Sequence, residues 1–98
     1  MGIRDDYDFS ILTNEAERMV TDELERQLAA RQAEQICVCE DCVIDMAALA
    51  LNSIRPVYRV SLLGTMYAHA LDGGDFAEEV RRGVSSAIDR VHANPSHD

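Results

Sequence analysis

The sequence predicts an all-α fold: a small bundle of three main helices plus a shorter one, with a cysteine-rich turn before the central helix. Three observations carry this. Apolar residues recur at three- and four-residue spacing over 13–31, 41–54 and 75–93. The intervals hold breakers: Pro56 after the second stretch, Asp72-Gly73-Gly74 before the third, and Pro95 after it. All three cysteines of the chain, Cys37, Cys39 and Cys42, fall within six residues directly ahead of the second stretch.

Residues 1–12 read as a flexible lead with a small apolar anchor, Phe9, Ile11 and Leu12; 13–95 form the helical domain; 96–98 are a tail. The first helix runs from Thr13 to about Arg31. Asn14 can cap it, and Glu17 three residues on completes a capping-box-like pair. Ala16, Met19, Val20, Leu24 and Leu28 make one apolar stripe, the pattern of a core face or a dimer seam.

The central helix spans about Asp41 to Ile54. Val43, Met46, Ala47, Leu49, Ala50, Leu51 and Ile54 cover more than one stripe, which predicts burial on several sides. Asp45 and Asn52 are its polar exceptions. Buried polar groups need partners, so each either satisfies a nearby backbone or, for Asn52, bonds a ligand. Val57 to Val60 read as a short extended segment, and Ser61 to Leu71 as a short helix weakened at Gly64 or a loop leading into one. The last helix starts at Asp75, with Glu78 as its capping-box partner, and reaches Ala93. Gly83 interrupts its apolar face and invites close approach of a neighbouring helix.

Ninety-eight residues make one domain. Such a domain buries only about two-thirds of its unfolded surface, so a metal or a dimer interface would support its core. Net charge is −9 and pI near 4.6, a poor balance for duplex DNA, whose affinity comes largely from neutralising phosphates. All nine basic residues are arginine, which forks onto phosphates and stacks on bases. No apolar run suffices to span a membrane, and the acidic start MGIRDDYDFS lacks a secretory layout. The expected location is cytoplasmic, where clustered thiols point to metal or redox chemistry rather than a structural disulfide.

Cys37, Cys39 and Cys42 supply three of the four ligands a closed zinc site needs, with Cys39 and Cys42 at a helix start that favours thiolates. The fourth could come from His69, His92, an acidic side chain, water or a second subunit; His97 stands too near the chain's end to be preferred. Three packed free thiols, a Cys39–Cys42 redox pair and an iron–sulfur cluster are the alternatives. No nucleophile–base pair and no phosphate-cradling glycine loop is visible, so no enzyme is expected.

Ile36-Cys37-Val38-Cys39-Glu40-Asp41-Cys42, then Asp45-Met46-Ala47-Ala48-Leu49-Ala50-Leu51-Asn52, then Pro56-Val57-Tyr58, resemble the late-competence-development ComFB family. Asn14-Glu15 opening a helix to Val20, Ser61 and Gly64 after the tyrosine, and Val91-His92-Ala93-Asn94-Pro95 extend the likeness over about 14–95. The resemblance implies a small helical homodimer that regulates rather than catalyses, with zinc on the cysteines in some members. It also implies roles in competence, motility and type IV pili, and in some members reception of cyclic dinucleotides, chiefly cyclic di-GMP. Two departures stand out: Arg55 replaces the first of two prolines common in the family, and there is no fourth cysteine.

A cyclic dinucleotide would need arginines for its phosphates or guanine edges and nearby hydrogen-bonding side chains. Arg55, Tyr58, Arg59 and Ser61 follow the central helix, Asn52 precedes them by a turn, and Arg81 and Arg82 can add from the last helix. The expected partners are therefore a cyclic dinucleotide, a second copy of the chain and a regulatory protein. The other expectation is a ligand-free, zinc-stabilised dimeric adaptor.

Overall fold

The computed structural model describes residues 2–60 and 74–97. Among these the elements are α1 (Ile3–Asp6), a 3-10 turn (Phe9–Ile11), β1 (Thr13–Asn14), α2 (Glu15–Ala30), a second 3-10 turn (Gln32–Glu34), α3 (Glu40–Ser53), β2 (Tyr58–Arg59) and α4 (Asp75–Ala93). The architecture is mainly α, as expected, and no helix among the described residues is long and apolar enough to cross a membrane. The stretch Ser61 to Leu71, with Ser61 and His69, lies outside the described residues, as do Asp72 and Gly73.

The three long helices bury their stripes against one another. Ala16, Met19, Val20 and Leu24 of α2 meet Cys42, Met46 and Ala50 of α3 and Val80, Val84, Ile88 and Val91 of α4. The α3/α4 contact is the most extensive. Ser53 and Ile54 lie against Gly83, whereas Asp45 meets Ser96 beyond the other end of α4, so the two helices run antiparallel. Gly83 permits this approach: a Cβ there would sit 2.9 Å from Ser53 Oγ and 3.0 Å from Ile54 Cγ2. Gln27 near the end of α2 is buried and donates to the Arg81 carbonyl of α4 at 3.0 Å and to Glu23 Oε2 at 2.7 Å.

A two-stranded antiparallel ladder pairs Thr13 with Arg59 and Asn14 with Tyr58. Asn14 Oδ1 caps α2 by accepting from the Ala16 N–H at 3.1 Å, and it also accepts from the Val57 N–H at 2.8 Å. The start of α2 is thereby tied to the segment leaving α3.

Four sequence expectations are corrected. Neither capping box forms as drawn. Asn14 works alone on α2, while Gly74, at φ 90°, takes the cap position of α4 and Glu78 turns to Arg81 and Arg82. Glycine reaches that left-handed torsion without a Cβ clash, so the helix begins at Asp75, one residue earlier than a capping Asp75 requires. Phe9, Ile11 and Leu12 do not anchor in the core; all three are exposed, because the first residue to enter the core is Ala16. Among the described residues the central helix is fully buried along one stripe rather than on several sides: Cys42, Met46 and Ala50 face the core, Val43, Ala47, Leu49 and Leu51 are half-buried, and Ile44 is 63% exposed. Among the described residues, α2 and α4 are the helices that pack on α3. The fourth correction concerns the tail and belongs to the site.

Candidate functional site

The cysteines reach α3 through the second 3-10 turn, which ends at Gln35 in the left-handed region (φ 56°, ψ 41°). Ile36 and Cys37 then pack against the core, and Val38 stays exposed. Cys39 is the N-cap of α3: its Sγ accepts from the Cys42 N–H at 3.4 Å, and its carbonyl takes the first helical bond, from the Val43 N–H at 3.0 Å. One turn on, Cys42 is fully buried among the helices.

The tail supplies what the motif lacks. After α4 the chain turns at Asn94 and Pro95 and crosses the start of α3. Ser96 Oγ donates to Asp45 Oδ2 at 2.6 Å, and His97 Nε2 lies 3.1 Å from Cys37 Sγ. Cys37, Cys39, Cys42 and His97 then present four ligand atoms all within 4.8 Å of one another. The expectation that set His97 aside is corrected: antiparallel α3 and α4 bring the chain's end to the thiols, whereas His92 stays exposed on α4 and outside the cluster.

Bond lengths of about 2.3 Å to sulfur and about 2.0–2.1 Å to nitrogen give a zinc tetrahedron edges of roughly 3.5–3.8 Å. The four donors fit that frame with shifts on the order of 1 Å. Three thiolates and an imidazole form a closed set with no position left for a reacting water, the pattern of a structural rather than a catalytic ion. The thiols are unequal. A hydrogen bond from the Cys39 backbone, then those with the Cys39 and Cys42 side chains, draws Cys37 below the usual thiol range. Burial pushes Cys42 up to about 11, against a backbone hydrogen bond from Ser96. Metal binding to such a set displaces protons.

Of the described residues nominated for a ligand, Arg81 and Arg82 line different clefts; Ser61 lies outside the described residues. Tyr58 is 62% exposed on β2, and Asn52 is exposed near the end of α3. Arg55 is held by Glu79, through its backbone N–H at 2.8 Å and its Nε at 3.1 Å, and its guanidinium lies 5.1 Å over the Phe76 ring. Arg59 Nε lies 2.5 Å from Oε1 of Glu15, a buried carboxylate that also takes Arg18 Nε at 2.9 Å. Arg81 and Arg82 both pair with Glu78.

Arg82 lines an open groove of about 530 Å³ with Ser53, Gly83, Ser86 and the carboxylates Asp75, Glu78 and Glu79, the last being the partner of Arg55. Arg81 faces away, into a cleft of about 290 Å³ between α2 and α4 that Arg18, Arg26, Asp22 and Glu23 also line. Arg18 and Arg26 were not singled out in the sequence, because their i,i+3 and i,i+4 acids make them read as ordinary helix-surface pairs.

Compared with known families, residues 13–95 match the family described as late competence development protein ComFB. No curated protein matches the chain significantly. The family match ends two residues short of His97.

Proposed function

The chain belongs to the ComFB family, and from that premise we propose that it is a small, non-catalytic regulatory protein, acting as a homodimer, that binds a cyclic dinucleotide and relays it to a partner protein. The observation that carries the ligand reading is the edge after α3. The Tyr58 ring is open to solvent on a segment that also bears Arg55 and Arg59 and is fastened to α2 through Asn14 and Val57. An exposed aromatic ring offers a stacking platform for a base, and adjacent guanidiniums offer forks for phosphate. The Arg55–Glu79 pair is partly exposed, so exchanging the carboxylate for a phosphate costs little. Arg59 is the firmer element, since it neutralises buried Glu15.

Zinc is the cofactor that the Cys37, Cys39, Cys42 and His97 donor set fits. Bound there, it would cross-link the turn before α3 to the tail after α4, a reinforcement suited to a core this small. The outer flank of α3, with Ile44 exposed and Val43, Ala47 and Leu51 half-buried, is the face a second copy would cover.

A second reading, a ligand-free zinc-stabilised adaptor, is favoured by one observation: each described arginine nominated for the ligand already has a carboxylate partner. A thermal-shift panel with cyclic di-GMP, cyclic di-AMP and GTP separates the two. A receptor melts higher with one cyclic dinucleotide in a concentration-dependent way, and an adaptor responds to none.

A further inference from the structure

Three thiols crowd one turn, and they are unequally open. Cys39 is exposed, Cys37 half-buried and Cys42 fully buried. Their sulfurs lie within 4.8 Å of one another, and each pair is in hydrogen-bonding contact. We propose that this turn is also an oxidation site: a hydroperoxide converts Cys39 and Cys42 into a disulfide, and the disulfide and the zinc-filled site exclude each other. Metal and redox chemistry are then two states of one turn, a proposal that rests on the zinc reading above.

The local backbone selects the pair. Cys39 is the N-cap of α3 and Cys42 lies three residues on, so about one helical turn, roughly 5–6 Å, separates their Cα atoms, inside the range a disulfide spans. The Cys39 sulfur already sits over that turn, 3.4 Å from the Cys42 N–H. Val38 alone separates Cys37 from Cys39, which leaves little backbone to adjust to disulfide geometry. The Cys37 sulfur instead keeps His97 Nε2 at 3.1 Å.

An oxidant arriving from solvent meets Cys39 first, because the helices cover Cys42. With hydrogen peroxide, the Cys39 sulfur attacks one oxygen and the O–O bond breaks, leaving a sulfenic acid and one water. The Cys42 sulfur then attacks the Cys39 sulfur; the S–S bond forms, the S–O bond breaks and a second water leaves. Two thiols and one peroxide thus give one disulfide and two waters, with two electrons passing from the sulfur pair to the peroxide oxygens. Starting from the loaded site, two thiolates take up two protons in the same balance and the ion goes free. Neither sulfur of a disulfide remains a thiolate ligand, and Cys37 with His97 supplies only two of the four ligands a closed zinc site needs. Cys42, lying beside Cys39, captures the sulfenic acid before it climbs to the irreversible sulfinic state, so a thiol reductant restores both cysteines.

Hydrogen peroxide is the probe that tests this. Wild type is loaded with zinc, its stoichiometry is read by native mass spectrometry, and the protein is treated with peroxide and then blocked with iodoacetamide. The expected product has released its zinc and carries a single alkylated thiol, at Cys37; dithiothreitol and zinc return all three thiols and the ion. After chelation, Cys37→Ser is expected to form the disulfide within about threefold of the wild-type rate, and Cys42→Ser to form any disulfide at least tenfold more slowly. Wild type that holds zinc and keeps both the ion and three alkylatable thiols after peroxide overturns the proposal and leaves the metal reading standing. A disulfide that includes Cys37, located by fragmentation of the wild-type product, overturns the assigned pair. Wild type that binds no zinc overturns both the proposal and the metal reading.

Discussion

Asn14 Oδ1 accepts the Val57 N–H at 2.8 Å while it caps α2 through the Ala16 N–H at 3.1 Å. One side-chain oxygen thus serves two orphan donors, one at a helix start and one on the segment that carries Tyr58. The Glu15 N–H completes the stitch by donating to the Val57 carbonyl at 2.7 Å.

Replacing Asn14 by Ala removes the cap and leaves the half-buried Val57 N–H without its acceptor. The expected loss is about 2–3 kcal/mol, a cap plus an unsatisfied donor. Asn14→Asp keeps an acceptor for both amides and is expected to recover most of it. Urea denaturation of the three proteins checks this, and equal midpoints for Asn14→Ala and wild type contradict it.

Glu15 makes acid stability specific. Hydrogen bonds from Arg18 first, then Arg59, hold its carboxyl below the ordinary 4.5, against burial, which raises it. A folded value below the unfolded one means that the unfolded chain takes up the proton first as pH falls. The contribution is complete above about 4.5 and is lost as pH drops through the folded value. Glu15→Gln is expected to be less stable than wild type at pH 7 and to show a shallower loss below pH 4.5. Parallel pH profiles of the two proteins contradict the assignment.

Gly83 is the close-approach point of α3 and α4. Gly83→Val places methyl groups where Ser53 Oγ and Ile54 Cγ2 already stand and is expected to cost about 1–3 kcal/mol by overpacking. Gly83→Ala gains roughly 1 kcal/mol in helix propensity against a smaller clash, so its net effect is small. Adding Ser53→Ala to Gly83→Ala removes the nearest obstructing atom and is expected to give the most stable of the three. A Gly83→Val protein as stable as wild type contradicts this packing.

A metal bound at Cys37, Cys39, Cys42 and His97 would have a thermal signature of its own. At free zinc a hundredfold above Kd, loading adds about 2.7 kcal/mol. For a domain of this size that raises Tm by roughly 10–20 °C. Cys37→Ser is expected to abolish the difference between zinc-loaded and chelated protein. A chelator that leaves the wild-type Tm unchanged contradicts a structural ion.

The three main helices were legible because each has an apolar stripe, and their observed ends fall within two residues of those read from spacing. Cap partners were less legible. A capping box is a local pattern, and Glu78 instead answers to Arg81 and Arg82 one turn on. The burial of α3 was overread, because an apolar surface in sequence does not say whether its own chain or a second one covers it. The extended character of Val57 to Val60 was visible, but its pairing with Thr13 and Asn14 across more than forty residues was not. His97 is the sharpest case. Nothing local marks it, and only the antiparallel course of α3 and α4 carries it to Cys37.

The most direct test of the account is isothermal titration of zinc-loaded wild type, Tyr58→Ala and Arg55→Ala with cyclic di-GMP, with cyclic di-AMP and GTP as comparisons. The account predicts micromolar or tighter binding of one cyclic dinucleotide by wild type, weakened at least tenfold in both variants while their melting curves stay cooperative. No heat from any of the three nucleotides with a folded, zinc-loaded dimer would contradict it and leave the chain as a protein-docking adaptor.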